Sequence, residues 1–162
     1  MQPGERAPEL VARLAREKAA AVAVAHPDAC IVGSDQAAVR MDAADGEIIL
    51  GKPGSASVCM DQLRRCSGQT VTFLTAVAVL TKGAAPLEFI DTTRVMFRML
   101  DDDLIARYVA REMPLDCAGG FKSEGLGITL CESIVSVDPS ALIGLPLIRL
   151  AASLRALGFA LP

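Results

Sequence analysis

Asp35 follows a run of apolar and small residues, Ala29-Cys30-Ile31-Val32-Gly33-Ser34, and stands beside Gln36. Three lysines occupy places that an ordinary solvated surface does not explain: Lys18 falls on the apolar stripe of a helical pattern, and Lys52 and Lys122 sit in the glycine-containing stretches Gly51-Lys52-Pro53-Gly54 and Gly119-Gly120-Phe121-Lys122. Converging cations combined with exposed loop amides suit a polyphosphate. A carboxylate beside such a group can bind a divalent metal, deprotonate a water, or do both in sequence. Asp35 is that carboxylate, the candidate catalytic residue and the candidate metal ligand. Glu124 can read a base edge, since a carboxylate accepts from adjacent N–H groups on a purine. The same residues also have bland readings: Asp35 as a turn cap, Lys52 as a solvated loop residue, Lys18 as a side chain snorkelling to the edge of the core.

These residues need elements to position them. Residues 9–25 have a helical period, with Leu10, Val11 and Leu14 on one stripe and Lys18 continuing it. The apolar run after it reads as a buried strand that ends at Gly33-Ser34-Asp35-Gln36, a strand end being a common place to present chemistry. Asp45-Gly46 marks a hairpin turn, and the chain returns through Ile48-Ile49-Leu50 to Lys52, so that Asp35 and Lys52 are expected at two strand ends. Residues 55–66 read as a second helix with Val58, Leu63 and Cys59 inward. Residues 70–81 are long, β-branched and nearly all apolar, as in a central strand covered on both faces. Residues 88–99 alternate, with Val95, Phe97 and Met99 on one side, and pair with that strand antiparallel.

Asp101-Asp102-Asp103 reads as the capped start of a third helix rather than as a metal site. Four glycines among residues 116–128 exclude a regular helix and suggest backbone held close to something. A further strand is expected over 129–137, a helical turn at Asp138-Pro139, and a last helix over 147–157. No internal repeat or linker divides the chain.

The bulk numbers restrict the function. A chain of 162 residues, 52% hydrophobic, is one domain with a real core. Aromatics are only 4%, so Ala, Val, Leu and Ile build that core, as in α/β proteins. A net charge of -3 argues against a nucleic-acid polymer as partner. The five cysteines are odd in number, without a CxxC, and read as reduced, mostly buried thiols of a cytosolic protein. His26 is the only histidine, so neither a Cys/His zinc site nor a histidine triad is supported, and it is read as a surface residue. No apolar run is long enough to span a bilayer, and residues 1–6 do not form a signal peptide.

The set GSDQ at 33–36, GKPG at 51–54, DTTRV at 91–95, DCAGGFKSEGLGI at 116–128 and DPSALIGLPL at 138–147 resembles the Maf family of nucleoside triphosphate pyrophosphatases. The phrase around FKSEG is similar to the branch acting on 7-methyl-GTP; the dTTP and UTP branches usually carry Gln where this chain has Glu124. The resemblance implies a Maf/ITPase-like α/β fold, a mixed central sheet flanked by helices with two lobes around a cleft. It implies hydrolysis of the α–β phosphate bond to a monophosphate and pyrophosphate, with Mg2+ or Mn2+. Asp35 matches the family's proton acceptor, Gln36 and Glu124 match positions tied to substrate choice, and Lys18, Lys52 and Lys122 match its basic positions. Glu124 is expected as a buried carboxylate against the base. The partner implied is a small nucleotide, in a cytoplasmic and often homodimeric protein. Family members open with a strand and an SxSxRR-like loop, which residues 1–6 do not match. The expectation is therefore one Maf-like domain over 1–162, shortened at its beginning. A second function, of another class, stands beside this one: a nucleotide-binding or interaction protein that keeps the fold without turnover, in line with the family's link to septum inhibition.

Overall fold

A stripe of small residues four apart, three alanines and one valine, lets the first helix lie hard on the sheet. In the computed structural model, which describes residues 2 and 4–162, α1 spans Ala7–Ala23 and buries Ala7, Val11, Ala15 and Ala19. Leu10 and Leu14 flank this stripe half-buried, so the buried face is narrower than the leucine pattern predicts. The reading of residues 1–6 falls in part on Met1 and Pro3, which lie outside the described residues.

The expected class holds: the fold is mixed α/β, with four α-helices and one five-stranded sheet among the described residues. β1 is Ile31–Asp42, β2 Gly46–Leu50, β3 Thr70–Leu80, β4 Leu87–Phe97 and β5 Cys131–Val135. Their order is β2-β1-β3-β4-β5. The Asp45-Gly46 signal produces the β1–β2 hairpin, antiparallel with Val39 opposite Ile49 and Asp42 opposite Gly46. The Asp42 carboxylate accepts the Ala44 N–H at 3.0 Å and closes that turn. β4 and β5 are also antiparallel. Hydrogen bonds from Gly68 to Arg98 and from Phe97 to Gln69 show the expected antiparallel run of β3 and β4.

The remaining helices are α2, Ala56–Cys66, α3, Asp102–Glu112, and α4, Leu147–Ala156. Ser55 caps α2, and Asp101 caps α3 by accepting the Leu104 N–H at 2.7 Å, which is the role expected of the acid run. Three expectations fail at element edges. Val58 is exposed while Cys59, Leu63 and Cys66 form the buried face of α2. Met99 lies beyond the end of β4 and is exposed. The strand expected over 129–137 is only β5, because Leu126–Leu130 is wound into a 3-10 turn.

The chain divides into two compact units, and β1, β3 and β4 each contribute to both. Unit 1 holds residues 1–36, 74–92 and 137–162, with Val77, Val79, Phe89 and Leu150 in its core. Unit 2 holds residues 37–73 and 93–136. Its core is built around Phe121, whose ring centroid lies 5.6 Å from Phe73 and 5.2 Å from Phe97.

In unit 1, Gly33 sets how closely α1 approaches β1. A Cβ at Gly33 would stand 2.2 Å from the Ala15 carbonyl oxygen and 2.7 Å from the Ala19 nitrogen. Both are backbone atoms of a helix and cannot rotate away. Gly33→Ala is therefore expected to cost about 1–3 kcal/mol, the usual range for overpacking. At about 2–4 °C per kcal/mol for a chain of this size, the loss is readable as a lower Tm. An unchanged Tm would show that α1 does not lie this close to β1.

Asp91 is a buried acid in the interior of unit 1. It is 9% exposed, and its Oδ1 has no hydrogen-bond partner among the described residues. Burial first, and the neighbouring Asp138 second, push its carboxyl above the ordinary range, against the opposing pull of Arg149. A raised folded pKa means that the folded state holds the proton more tightly. Its contribution is then present below the ordinary carboxyl pKa of about 4 and is lost as pH rises through the raised value. The Tm of Asp91→Asn relative to the parent is expected to rise with pH from about pH 4 upward. A Tm difference independent of pH would show that Asp91 ionises normally.

Candidate active site

Docking of α1 on Gly33 brings Lys18 to Asp35. Lys18 Nζ donates to Asp35 Oδ1 at 2.6 Å and to the Ser34 carbonyl at 3.0 Å. The lysine side chain is 55% exposed and the aspartate 16%, so the cation lies outermost and the carboxylate is held beneath it. Lys18 thus stands at the edge of the α1 stripe with its head turned onto β1. Asp35 is not at a strand end, as the sequence suggested, but inside the twelve residues of β1. Gly33 is not a terminator: it is the point where the helix touches, and the strand continues through Ala37, Ala38 and Val39, all buried.

The neighbours of Asp35 lock the strand in unit 1. Ser34 Oγ lies 2.9 Å from the Ala76 carbonyl and 2.8 Å from the Gly144 carbonyl. Gln36 Nε2 donates to Thr75 Oγ1 at 2.9 Å and to the carbonyls of Ala141 and Leu142 at 3.0 and 3.2 Å. The amide NH2 of Gln36 is therefore committed to the 3-10 turn Pro139–Ile143, and only its Oε1 is left for another partner. Thr75, which the sequence reading passed over, is buried and links Gln36 to Ala141 through its own hydroxyl. Asp138, also buried, accepts the N–H groups of Ser140 and Ile148 and so satisfies the start of α4.

The other predicted residues belong to unit 2. Lys52 is exposed, and its ammonium makes no hydrogen bond or ion pair among the described residues. Its loop is nevertheless fixed by backbone: Gly119 N–H donates to the Gly51 carbonyl at 3.2 Å, and Gly54 N–H to Leu115 at 3.0 Å. The two glycine-containing stretches are thus stitched together. Gly119 and Gly120 take φ of 65° and 64°, and a Cβ on Gly120 would stand 2.5 Å from Cys59 Sγ. That is the close approach the glycine-rich composition implied. Lys122 Nζ pairs with Glu112 Oε1 at 2.9 Å, and this partner holds the ammonium pKa above its ordinary value. Glu124 is exposed, and among the described residues its carboxylate accepts one hydrogen bond, from the Ser123 hydroxyl to Oε2 at 3.3 Å. The expectation of a buried carboxylate there is not met: Glu124 is the exposed member of a turn whose flanking residues Ser123 and Gly125 are half-buried.

Two further residues escaped the sequence reading because their roles depend on contacts 10 to 14 positions away. Glu112 holds Lys122 and the Leu126 N–H, and Tyr108 accepts the Lys122 N–H at 3.1 Å while donating to Gly120. Tyr108 was legible only as a member of the buried face of α3.

No three His, Cys, Asp or Glu side chains among the described residues converge on a point that could hold a metal ion. Asp35 supplies one carboxylate, and its Oδ2 accepts no hydrogen bond from the described residues. Mg2+ commonly takes one or two carboxylates and completes its shell with phosphates and water. Asp35 therefore fits an ion that arrives with a triphosphate. All five cysteines are free. Cys59 and Cys66 are buried, which pushes their thiols up to about 11, and the other three are half-buried, so fewer are fully interior than expected. His26 is exposed, as predicted.

The profile of the family described as Maf-like protein matches residues 1–157. The chain belongs to the Maf family. Individual Maf relatives agree along nearly all of it. A protein of Aromatoleum aromaticum is 53% identical over 161 residues, covering 99% of this chain and 80% of the relative. One of Alkalilimnicola ehrlichii is 55% identical over 160 residues, covering 98% and 78%. One of Xanthomonas campestris pv. campestris is 49% identical over 160 residues, covering 99% and 81%. All three relatives are named 7-methyl-GTP pyrophosphatase. Among the described residues, no helix of this Maf protein is long and apolar enough to cross a membrane.

Proposed function

We propose that this Maf protein is a nucleoside triphosphate pyrophosphatase that hydrolyses the α–β phosphate bond of 7-methyl-GTP, releasing the monophosphate and pyrophosphate. The observation that carries the chemistry is the Lys18–Asp35 pair at 2.6 Å, a carboxylate pinned in a strand by a neighbouring cation. The substrate rests on relatives at 49–55% identity that bear this name. Asp35 accepts a proton from the water that adds across the anhydride, and pyrophosphate leaves with the bridging oxygen. Lys18 orients Asp35 for that transfer. Lys52 and Lys122 offset phosphate charge, as ammonium groups do on a polyphosphate. Gln36, through its remaining Oε1, and Glu124, through its exposed carboxylate, discriminate among nucleotides. Asp35 would also hold a divalent cation, Mg2+ or Mn2+, which when bound neutralises charge on the phosphates. The reading carries with it a cytoplasmic setting and a small-molecule partner.

The test is incubation of the chain with 7-methyl-GTP and Mg2+ or Mn2+, with GTP, UTP and dTTP in parallel. Pyrophosphate release fastest from 7-methyl-GTP is expected. Release of orthophosphate instead, or no turnover of any of the four, would sink the reading.

A further inference from the structure

Glu112 is the last residue of α3, where a carboxylate opposes the negative end of the helix dipole. The rest of α3 obeys the dipole, with Asp102 and Asp103 in its first turn and Arg111 in its last. What offsets Glu112 lies outside the helix. Its Oε1 accepts from Lys122 Nζ at 2.9 Å and its Oε2 from the Leu126 N–H at 2.7 Å. The Leu126 hydrogen bond first, and Lys122 second, hold its carboxyl below the ordinary range. The side chain is 12% exposed, although it ends a surface helix.

The two contacts bracket residues 122–126, with Glu124 in the middle. Inside the bracket the N–H of Gly125, and just past it that of Gly127, turn back to the Lys122 carbonyl, at 3.3 and 3.1 Å. The carboxylate of Glu112 also fills the space beside Gly125, where a Cβ would lie 2.5 to 2.7 Å from its atoms. A larger residue at 125 would push Glu112 off both partners without altering Glu112 itself.

We propose that Glu112 is a positioning residue: it pins the Lys122 ammonium and the Leu126 amide so that the turn between them presents Glu124 to the base of the bound nucleotide. The nucleotide half of this statement rests on the pyrophosphatase reading. The hold on the loop does not.

The test compares the full chain with Glu112→Ala, Glu112→Gln and Gly125→Ala. In the nucleotide-free protein, hydrogen exchange at the Leu126 amide reads the hold. Loss of a charge-assisted hydrogen bond is expected to speed that exchange by roughly tenfold or more in Glu112→Ala. Glu112→Gln should fall between, since its amide oxygen still accepts from Leu126 while its NH2 faces the lysine. In turnover, the ratio of kcat/KM for 7-methyl-GTP to that for UTP is expected to fall about tenfold in Glu112→Ala and in Gly125→Ala, with Glu112→Gln again between. A Glu112 that serves only stability would lower Tm and both substrates together, and an unchanged ratio overturns the proposal. Unchanged Leu126 exchange in Glu112→Ala overturns it as well. A parent chain that turns over neither nucleotide overturns the pyrophosphatase reading and the nucleotide half of this proposal together. Faster exchange in the variants would then still support the hold of Glu112 on the loop.

Discussion

Asp35→Asn is expected to lower kcat on 7-methyl-GTP by roughly two to four orders of magnitude, the usual span for a positioned general base. The substitution isolates the proton transfer. Asn has nearly the same shape, and its amide oxygen can still accept from Lys18 Nζ, which stands 2.6 Å from Oδ1 in the parent. What it cannot do is take a proton from water. Nucleotide affinity is expected to hold or tighten, because a negative charge near the phosphates is gone. Single-turnover kinetics with a parallel binding titration separate the two effects. A variant with near-normal kcat would remove Asp35 from the chemistry. Ser34→Ala is the neighbouring control. Ser34 Oγ has one proton to share between the carbonyls of Ala76 and Gly144, so its loss acts on the packing of unit 1 and leaves kcat little changed.

Glu124→Gln is expected to change selectivity rather than rate in general. The 7-methylguanine ring carries a positive charge, which strengthens its N1–H and N2–H groups as donors. A carboxylate accepts from both, whereas the amide that replaces it offers one acceptor and turns its NH2 toward the ring. The loss on 7-methyl-GTP should exceed that on UTP or dTTP by about 1–3 kcal/mol, or about five- to 150-fold in relative kcat/KM. Because Glu124 is exposed, an effect of this size requires the bound base itself to exclude water from the pair. Equal losses on all three nucleotides would instead assign Glu124 to a metal or to the loop's own structure.

Much of this was legible in one dimension because its causes are local. A β-branched apolar run becomes β3, Asp45-Gly46 becomes a hairpin turn, and an acid run before Leu104 becomes a cap, each decided by neighbours a few residues away. The residue types of the site were equally visible: a carboxylate beside small residues, lysines in glycine-containing loops, a second carboxylate near one of them. Their spacing also carried the family, since motifs at fixed intervals survive without any knowledge of how they meet.

Tertiary structure decided what those residues touch. Lys18 and Asp35 are 17 positions apart, and their meeting depends on Gly33 letting α1 come within van der Waals contact of β1. In the sequence, Gly33 looks like the end of a strand, because a missing side chain reads the same whether the backbone turns or another backbone presses on it. Glu112 looks like a routine charge on a helix surface, and Tyr108 like another core residue. Each is defined by a loop partner 14 positions away that no helical period can indicate. Periodicity states which face of an element is apolar. It carries no term for what that face, or the charged edge beside it, will meet once the chain has folded.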